Sequence, residues 1–320
     1  MKRLIVLALT GLLVALGWTP AQAALPAKQL TGYWQNFVNG AQPLRLSDVP
    51  DAYDVIVLAF ANADTATPGA VTFGVDPELS AALGGYSDDD LKADIAAKKA
   101  AGKSVVLSIG GERGGIDLGG AAQVSAFVDS FTRIVTDFGL QGIDIDLEGT
   151  FDAANTASAV TQVHDRMGPD FLVTMAPQTL DVQPGGRYLE LIESVKSLIT
   201  VVHTQYYNSG SMTGCDGQVV SQGSVDFITA QACGLLQVLR PEQVSLGVPA
   251  TAEAAGSGYV EPSVVNSALD CLADRTGCGS FVPDSAAPGI RGVMTWSVNW
   301  DASSGWAFSQ PVRSHLDAMA

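Results

Sequence analysis

Short apolar, β-branched runs alternate with helical patterns along this chain, and this alternation constrains its fold more than any other feature. Such runs are typical of strands that are buried on both faces of a parallel sheet. Alternation repeated about eight times predicts an α/β fold, a (β/α)8 (TIM) barrel of eight parallel strands, with a doubly wound open sheet as the alternative. The runs are residues 30–35, 55–60, 104–109, 142–147, 171–175, 198–205, 244–248 and 292–296.

Helices can be predicted between several of these runs. Apolar residues from Val124 to Phe138 follow three-and-four spacing and stop at Gly139, which is typical of an amphipathic helix with a glycine end. Ser87 precedes three aspartates and predicts a capped helix that runs to Gly102. Further helices are predicted around 188–195 and before Pro241.

The amino terminus has the pattern of a cleaved export signal. Lys2 and Arg3 precede an apolar run over 4–16, and small residues follow at 21–23. The run is shorter than the roughly 20 residues of a membrane anchor. We therefore expect residues 1–23 to be removed, residues 24–320 to form one domain, and the product to be secreted.

Charge limits the partners that such a chain can have. The formal net charge is −16, and it becomes −18 without Lys2 and Arg3. This argues against nucleic acid and membrane as partners and is compatible with a neutral substrate, although simple solubility explains the acidity as well. We expect a monomer.

The four cysteines favour disulfides over metal ligation, because their number is even in a chain predicted to be exported. Three pairings are possible, and we expect the local ones, Cys215 with Cys233 and Cys271 with Cys278. The histidines are scattered, without zinc-ligand spacing. No metal and no cofactor is implied.

Three acidic residues alternate with aliphatic residues at the end of the fourth predicted strand, in the order Asp144, Asp146 and Glu148. Alternation places the three carboxyls on one side, spaced about 6.6 Å along the strand. Crowded carboxyls hold protons to higher pH, so Glu148, the outermost, is a candidate general acid near neutral pH. The three would titrate as a cluster, with a proton moving between Asp144 and Asp146.

Two other interpretations fit an acidic strand. A solvated strand would alternate like its neighbours, but the flanking runs are continuously apolar. A calcium or magnesium site is also conceivable, yet the glycine turn of an EF-hand loop is missing. Catalysis is the interpretation that we favour.

The segment 141–148 resembles the signature of family 18 glycoside hydrolases, the chitinases, usually written DGxDxDxE. Gln141 replaces the first aspartate, and its odd offset from the three acids turns it away from them. Upstream, Ser108 opens a segment similar to the family's SxGG motif, whose glycines would let the backbone pass close to the acid strand.

Other segments resemble the family at the ends of further predicted strands, and the similarity spans nearly the whole mature chain. Each aromatic residue among them could equally be part of the core, and Gln178 stands where many relatives carry glutamate. By resemblance, the candidate substrate-binding residues are Tyr33, Trp34, Ser108, Met175, Gln178, Gln205, Asn208 and Trp296.

The resemblance implies a retaining mechanism in which the substrate's own acetamide attacks the anomeric carbon. Glu148 would protonate the leaving oxygen and then activate water. Asp146 would bind the acetamide N–H, with Asp144 as its proton partner. Tyr207 would orient the acetamide oxygen, and Trp296 would floor that sugar.

The stretch 249–289 is too short for the α+β insertion that walls the tunnel of some relatives, so the sequence predicts an open groove and an endo-acting chitinase that cuts chitin or N-acetylglucosamine oligosaccharides. Two other functions remain open. One is an endo-β-N-acetylglucosaminidase acting on N-glycans. The other is a non-catalytic chitin-binding protein, which would generally lack Glu148.

Overall fold

The fold is a closed barrel of parallel strands with helices on its outside. The computed structural model describes residues 25–319. The predicted signal segment 1–23 lies outside these residues. The strands, in chain order, are β1 Gln29–Gln35, β2 Val55–Ala63, β3 Val71–Thr72, β4 Ser104–Gly111, β5 Gly142–Leu147, β6 Leu172–Met175, β7 Val201–Gln205, β8 Ser211–Thr213, β9 Val219–Ser221, β10 Val244–Pro249 and β11 Gly292–Trp296.

Eight of these strands form the barrel, and the pairing of β1 closes it. β1 pairs in parallel with β2 on one side and with β11 on the other, and the order continues through β4, β5, β6, β7 and β10. An open doubly wound sheet would leave β1 and β11 unpaired with each other. The predicted (β/α)8 barrel is therefore confirmed, and the alternative is wrong.

Helices follow the barrel strands and cover the sheet. They are α1 Pro77–Ala82, α2 Asp88–Ala100, α3 Ala121–Phe138, α4 Ala153–Met167, α5 Arg187–Val195, α6 Val225–Leu236, α7 Pro262–Asp274, α8 Val298–Ser303 and α9 Ser309–Ala318. Over residues 25–319, no helix is long and apolar enough to cross a membrane.

Local sequence signals explain where two of these helices begin and end. The Ser87 hydroxyl caps α2 by accepting a hydrogen bond from the Asp90 N–H, and the Asp90 carboxylate accepts one from the Ser87 N–H. Gly139 ends α3 in the left-handed region, where its N–H donates to the Val135 carbonyl. Both predicted boundaries are confirmed.

Alternating residues of each barrel strand separate two apolar regions. Outward side chains such as Ile143 and Ile145 pack against the helices in the main core. Inward side chains such as Val57 and Leu172 form a smaller cluster inside the barrel. The carboxyl ends of all eight strands open at the same mouth, because the strands are parallel.

Two features shape the later third of the chain. Between β10 and β11 lie a short 3-10 turn, Ala252–Ala254, and helix α7, which leaves no room for a large α+β insertion. The disulfides join Cys215 to Cys233 and Cys271 to Cys278, so the predicted pairing is confirmed. The first disulfide ties the turn of the β8–β9 hairpin to α6.

Candidate active site

The acidic strand β5 places its carboxyls on the inner side of the barrel, one above the other. Asp144 is fully buried and Asp146 is 4% exposed, whereas Glu148, just beyond the strand, is half-buried at the mouth. Their aliphatic neighbours face the helices. The alternation read from the sequence therefore has the predicted result, a carboxyl series that runs from the barrel interior to its opening.

Asp144 lies in a cradle of three hydroxyl groups, two from the neighbouring strands β4 and β6 and one from β1 across the barrel. Tyr33 and Ser108 each donate a 2.6 Å hydrogen bond to Oδ2, and Thr174 donates one of 2.6 Å to Oδ1. Burial raises the pKa of Asp144, and these hydrogen bonds, which stabilise the charged form, oppose the rise. The cradle is suited to an ionised carboxylate.

Asp146 has a different environment, with less compensation. Burial, followed by repulsion from Glu148 and Asp144, raises its pKa well above the usual range, and the hydrogen bond from Gln205 opposes this. The Gln205 Nε2 lies 2.8 Å from Asp146 Oδ1. A carboxyl that is buried beside two acids and supported by one donor favours its neutral form. In this trio, Asp146 is the best place for a shared proton.

Glu148 also has a raised pKa, but the main cause differs from the one that the sequence suggested. Burial is the largest cause, and repulsion from Glu112 and Asp181 adds to it, whereas the sequence had pointed to crowding by the other two acids. The difference arises because the fold places the mouth acids Glu112 and Asp181 near Glu148. The direction of the shift suits a general acid.

Tyr207 follows β7 and reaches the same acids from another strand. It is 9% exposed, and burial, followed by the negative potential of Asp146 and Glu148, raises its pKa well above the usual range. The phenol is therefore neutral at physiological pH. Its O–H is therefore available as a hydrogen-bond donor near these two carboxyls.

Aromatic rings form the other side of the mouth around Trp296, which is half-buried. The Trp296 ring stacks with Phe60 at 6.0 Å and with Phe37 at 6.3 Å between centroids. The Tyr33 ring meets its edge at 5.7 Å. These rings form a flat apolar surface on which the face of a sugar ring can pack.

The glycines of the Ser108 segment have the predicted role of permitting close approach. Gly110 has φ of 108°, and a Cβ there would lie 2.2 Å from the Asp146 carbonyl oxygen. Gly111 has φ of 76°, and a Cβ there would lie 2.7 Å from the Phe60 ring. A side chain at Gly110 would push β4 away from the acidic strand, whereas one at Gly111 would collide with the Phe60 ring of β2.

Gln141 lies away from the three acids, as its offset predicted. Its side-chain oxygen accepts a 3.2 Å hydrogen bond from the Val105 N–H, at the base of the barrel where β5 begins. The residue that departs from the family signature therefore supports the pairing of β4 with β5.

Trp34 and Met175 do not reach the mouth, which corrects two predicted substrate contacts. Trp34 is fully buried outside the barrel, where its Nε1 donates a 3.1 Å hydrogen bond to the Leu44 carbonyl. Met175 is fully buried in the same outer core. The cause is strand alternation, because Tyr33 and Thr174 point inward and their neighbours must point outward.

Asn208 lies at the rim, where its side chain is hydrogen-bonded to the backbone of another loop. Its Oδ1 accepts a 3.0 Å hydrogen bond from the Ser257 N–H, and its own N–H donates to the Ser257 carbonyl at 3.0 Å. Asn208 thus joins the loops after β7 and β10. This arrangement does not support the substrate contact that the sequence predicted for Asn208.

The sequence interpretation missed some of the residues that build the site. Thr174 could have been found, because it pairs with Asp144 in the β5–β6 register and shares its side of the sheet. Phe37 and Phe60 carry no comparable signal, since a loop and a strand end bring them to Trp296. Over residues 25–319, no cluster of three or more His, Cys, Asp or Glu residues is arranged to hold a metal ion.

Residues 29–308 match the family described as glycosyl hydrolases family 18. The chain belongs to glycosyl hydrolase family 18.

Relatives within family 18 resemble the chain over most of its length. Exochitinase 1 of Streptomyces olivaceoviridis is 36% identical, over 90% of this chain and 56% of its own length. A family 18 chitinase structure from Chromobacterium violaceum is 38% identical, with a TM-score of 0.84, over 94% of this chain and 86% of that one. A Streptomyces coelicolor structure, solved as a candidate chitinase A, is 51% identical, with a TM-score of 0.88, over 91% of this chain and 99% of that one.

The chain spans only part of several curated family 18 relatives. It covers 56% of the Streptomyces olivaceoviridis enzyme, 62% of chitinase Chi52 of Paenibacillus xylanexedens and 62% of chitinase D of Niallia circulans. The similarity therefore concerns the barrel domain.

Proposed function

We propose that this chain is a secreted chitinase that hydrolyses β-1,4-linked N-acetylglucosamine polymers with retention of configuration. One observation carries the proposal: a half-buried Glu148 stands at the mouth of the barrel, directly above the buried carboxyl of Asp146. Relatives named as chitinases support the substrate. The two disulfides support an oxidising compartment.

In the proposed first step, Glu148 donates its proton to the glycosidic oxygen as the bond from that oxygen to the anomeric carbon breaks. The acetamide carbonyl oxygen of the same sugar forms a bond to the anomeric carbon, which gives an oxazolinium ion. A nucleophilic carboxylate is then not needed, and the raised pKa of Asp146 makes it a poor one.

The other groups act on the acetamide. An oxygen of Asp146 accepts a hydrogen bond from the acetamide N–H and stabilises the positive oxazolinium ring. At the same time the Asp146 proton shifts to Asp144 in its hydroxyl cradle. The Tyr207 O–H orients the acetamide oxygen.

In the second step Glu148 takes a proton from water, and the water oxygen attacks the anomeric carbon on the face of the departed group. The bond from that carbon to the acetamide oxygen breaks, which restores the acetamide, and the shared proton returns from Asp144 to Asp146. Two displacements at the same carbon retain the configuration.

We further propose endo action on a bound chain. The short connection between β10 and β11 leaves the mouth without a large wall, which favours binding within a polymer over threading of an end. Early products of colloidal chitin or soluble chitosan should include several chain lengths. Release of dimers alone from the start would contradict endo action.

The reaction is tested by incubating the protein with N-acetylglucosamine oligomers and following the anomeric protons by NMR. The proposal expects the β-anomer first and its slow conversion to the α/β mixture. Initial α-anomer, or no cleavage, would overturn it. A parallel digestion of a glycoprotein distinguishes the alternative, because release of N-glycans without cleavage of chitin oligomers would assign an endo-β-N-acetylglucosaminidase. Oligomer binding without cleavage of either substrate would indicate a non-catalytic chitin-binding protein.

A further inference from the structure

Two primary amides hold the Glu148 carboxyl, one at each oxygen. Gln178 Nε2 lies 3.3 Å from Glu148 Oε2, and Gln205 Nε2 lies 3.4 Å from Glu148 Oε1. The two glutamines are themselves joined by a parallel β-bridge between their backbones. We call Gln178 and Gln205 the amide clamp.

The orientation of the Gln205 amide follows from its other contacts. Its Nε2 also donates to the Ala176 carbonyl at 2.9 Å and to Asp146 Oδ1 at 2.8 Å, and because the NH₂ group has only two hydrogens, the longer 3.4 Å bond to Glu148 shares one of them. A backbone carbonyl can only accept, so the nitrogen and not the oxygen of this amide must face the acids. Gln205 is 6% exposed, and this packing keeps the orientation fixed.

An amide NH₂ group is a donor and cannot accept a proton from a carboxyl. Because both Nε2 groups face Glu148, the O–H of a protonated Glu148 finds no acceptor in the amide clamp, so the clamp does not compete with a substrate oxygen for this proton. When Glu148 is ionised, both amides strengthen their bonds to it, because hydrogen bonds to charged acceptors are stronger than those to neutral ones. The clamp thus leaves the Glu148 proton free for an acceptor in the mouth and stabilises the carboxylate that remains.

We propose that Gln178 and Gln205 are positioning residues, which aim the Glu148 proton at the leaving-group oxygen and stabilise the carboxylate that remains. This inference rests on the proposed function and gives the two glutamines a role other than substrate contact. Gln205 already opposes the effect of burial on the pKa of Glu148. Gln178 is the cleaner residue to test, since its amide contacts Glu148, whereas that of Gln205 also holds Asp146.

The test uses Gln178→Met, which keeps the side-chain length and removes the donor, and Gln178→Glu, which replaces the donor with a like charge. Gln183→Met is the control, because Gln183 follows the same loop and donates to Gln231 at 2.6 Å, away from the acids. Two readouts are taken: the pH dependence of kcat/KM on soluble N-acetylglucosamine oligomers, and the ¹³C NMR titration of the Glu148 carboxyl, assigned by its loss in Glu148→Gln.

Gln178→Met should raise the titration midpoint of Glu148 by roughly half to one pH unit, the size expected for one long hydrogen bond to a charged group. Gln178→Glu should raise it further. The alkaline limb of kcat/KM should move with it, and kcat should fall more than KM rises. Gln183→Met should leave both unchanged.

An unchanged or lowered midpoint in both Gln178 variants would overturn the inference. The NMR titration needs no turnover, so it decides the role of the clamp even if the wild-type protein fails to cleave the oligomers, which would defeat the proposed function separately. Melting curves show whether each variant folds, and the two variants keep the test valid if one of them does not.

Discussion

The Tyr33 hydroxyl donates a 2.6 Å hydrogen bond to Asp144, across the interior of the barrel from β1 to β5. Burial, followed by the negative potential of Asp144 and Asp146, raises the pKa of Tyr33 well above its usual range, so the phenol stays a donor. The bond links the first strand to the deepest carboxyl of the site. The strand that closes the barrel, β1, therefore also supplies a hydrogen-bond donor to the buried carboxylate of Asp144.

Tyr33→Phe should weaken activity while leaving the fold intact. Loss of one donor leaves the Asp144 carboxyl, which receives the Asp146 proton in the proposed mechanism, less firmly positioned, so kcat/KM should fall about 10-fold to 100-fold. Steady-state kinetics with N-acetylglucosamine oligomers measure the change, and circular dichroism checks the fold. Full activity in a folded variant would show that the Asp144 cradle does not matter for the reaction.

Trp296 and Trp34 should separate binding from stability. Trp296→Ala removes the ring at the mouth and should lower kcat/KM at least about tenfold, since the stacked surface under the sugar is lost. Trp34→Phe loses the bond to Leu44 and should cost about 1–3 kcal/mol of unfolding free energy with KM unchanged. Urea unfolding and oligomer kinetics on both variants give the comparison. A raised KM in Trp34→Phe would instead indicate that Trp34 contacts the substrate, against its buried position in the structure.

The fold could be predicted from the sequence because its signals are local. Strand runs that are apolar on both faces, a capped α2 and a glycine end for α3 each depend on neighbouring residues. Closure of the barrel is different, since the pairing of β1 with β11 joins segments about 260 residues apart. Eight apolar runs predict a closed barrel, but the pairing of β1 with β11 can be seen only in the structure.

The site was predictable where one strand carries the pattern and less so where several elements meet. The spacing of Asp144, Asp146 and Glu148 alone places them on one side of β5. The prediction for Trp34 was wrong because an aromatic residue next to a site residue suggests a sugar contact. Strand alternation instead points the Trp34 side chain away from the barrel interior. The mouth acids that act on Glu148 come from separate loops, so no local pattern indicates them.

Buried His203 should make the protein sensitive to acid. Burial, aided by the charge of Arg291, lowers its pKa to about 3, so the folded protein holds a neutral imidazole with both ring nitrogens unpartnered among the described residues. The unfolded chain takes up a proton below its ordinary pKa near 6.5. The contribution of this group is therefore complete above that pH and is lost as the pH falls toward 3, at up to about 1.4 kcal/mol per pH unit.

His203→Gln tests this contribution. The raised pKa of Asp146 has the opposite effect on acid stability, so the informative quantity is the difference between wild type and variant. Urea unfolding at several pH values between 7 and 4 should show the wild type losing its advantage as the pH falls. His164→Gln, on the half-buried side of α4, is the matched control. A difference that does not vary with pH would contradict a neutral buried His203.

Removing the disulfide between Cys215 and Cys233 should cost stability. The link closes a segment with a sequence separation of 18, for which chain entropy predicts about 3 kcal/mol. Replacement of both cysteines by alanine should lower Tm, with a smaller loss for the Cys271–Cys278 pair, whose separation is 7. Calorimetry compares the two double variants. Equal Tm values for the wild type and the Cys215/Cys233 variant would show that the hairpin needs no covalent tie.

In the proposed mechanism, Glu148 alone delivers the proton that breaks the glycosidic bond. Glu148→Gln tests this role when the binding of an N-acetylglucosamine oligomer, by calorimetry, and its turnover are measured on the same protein. The variant keeps the shape of the side chain and cannot act as an acid, so binding should stay within a few-fold of wild type while kcat falls by about 100-fold or more. Turnover at the wild-type rate with intact binding would show that another group donates the proton.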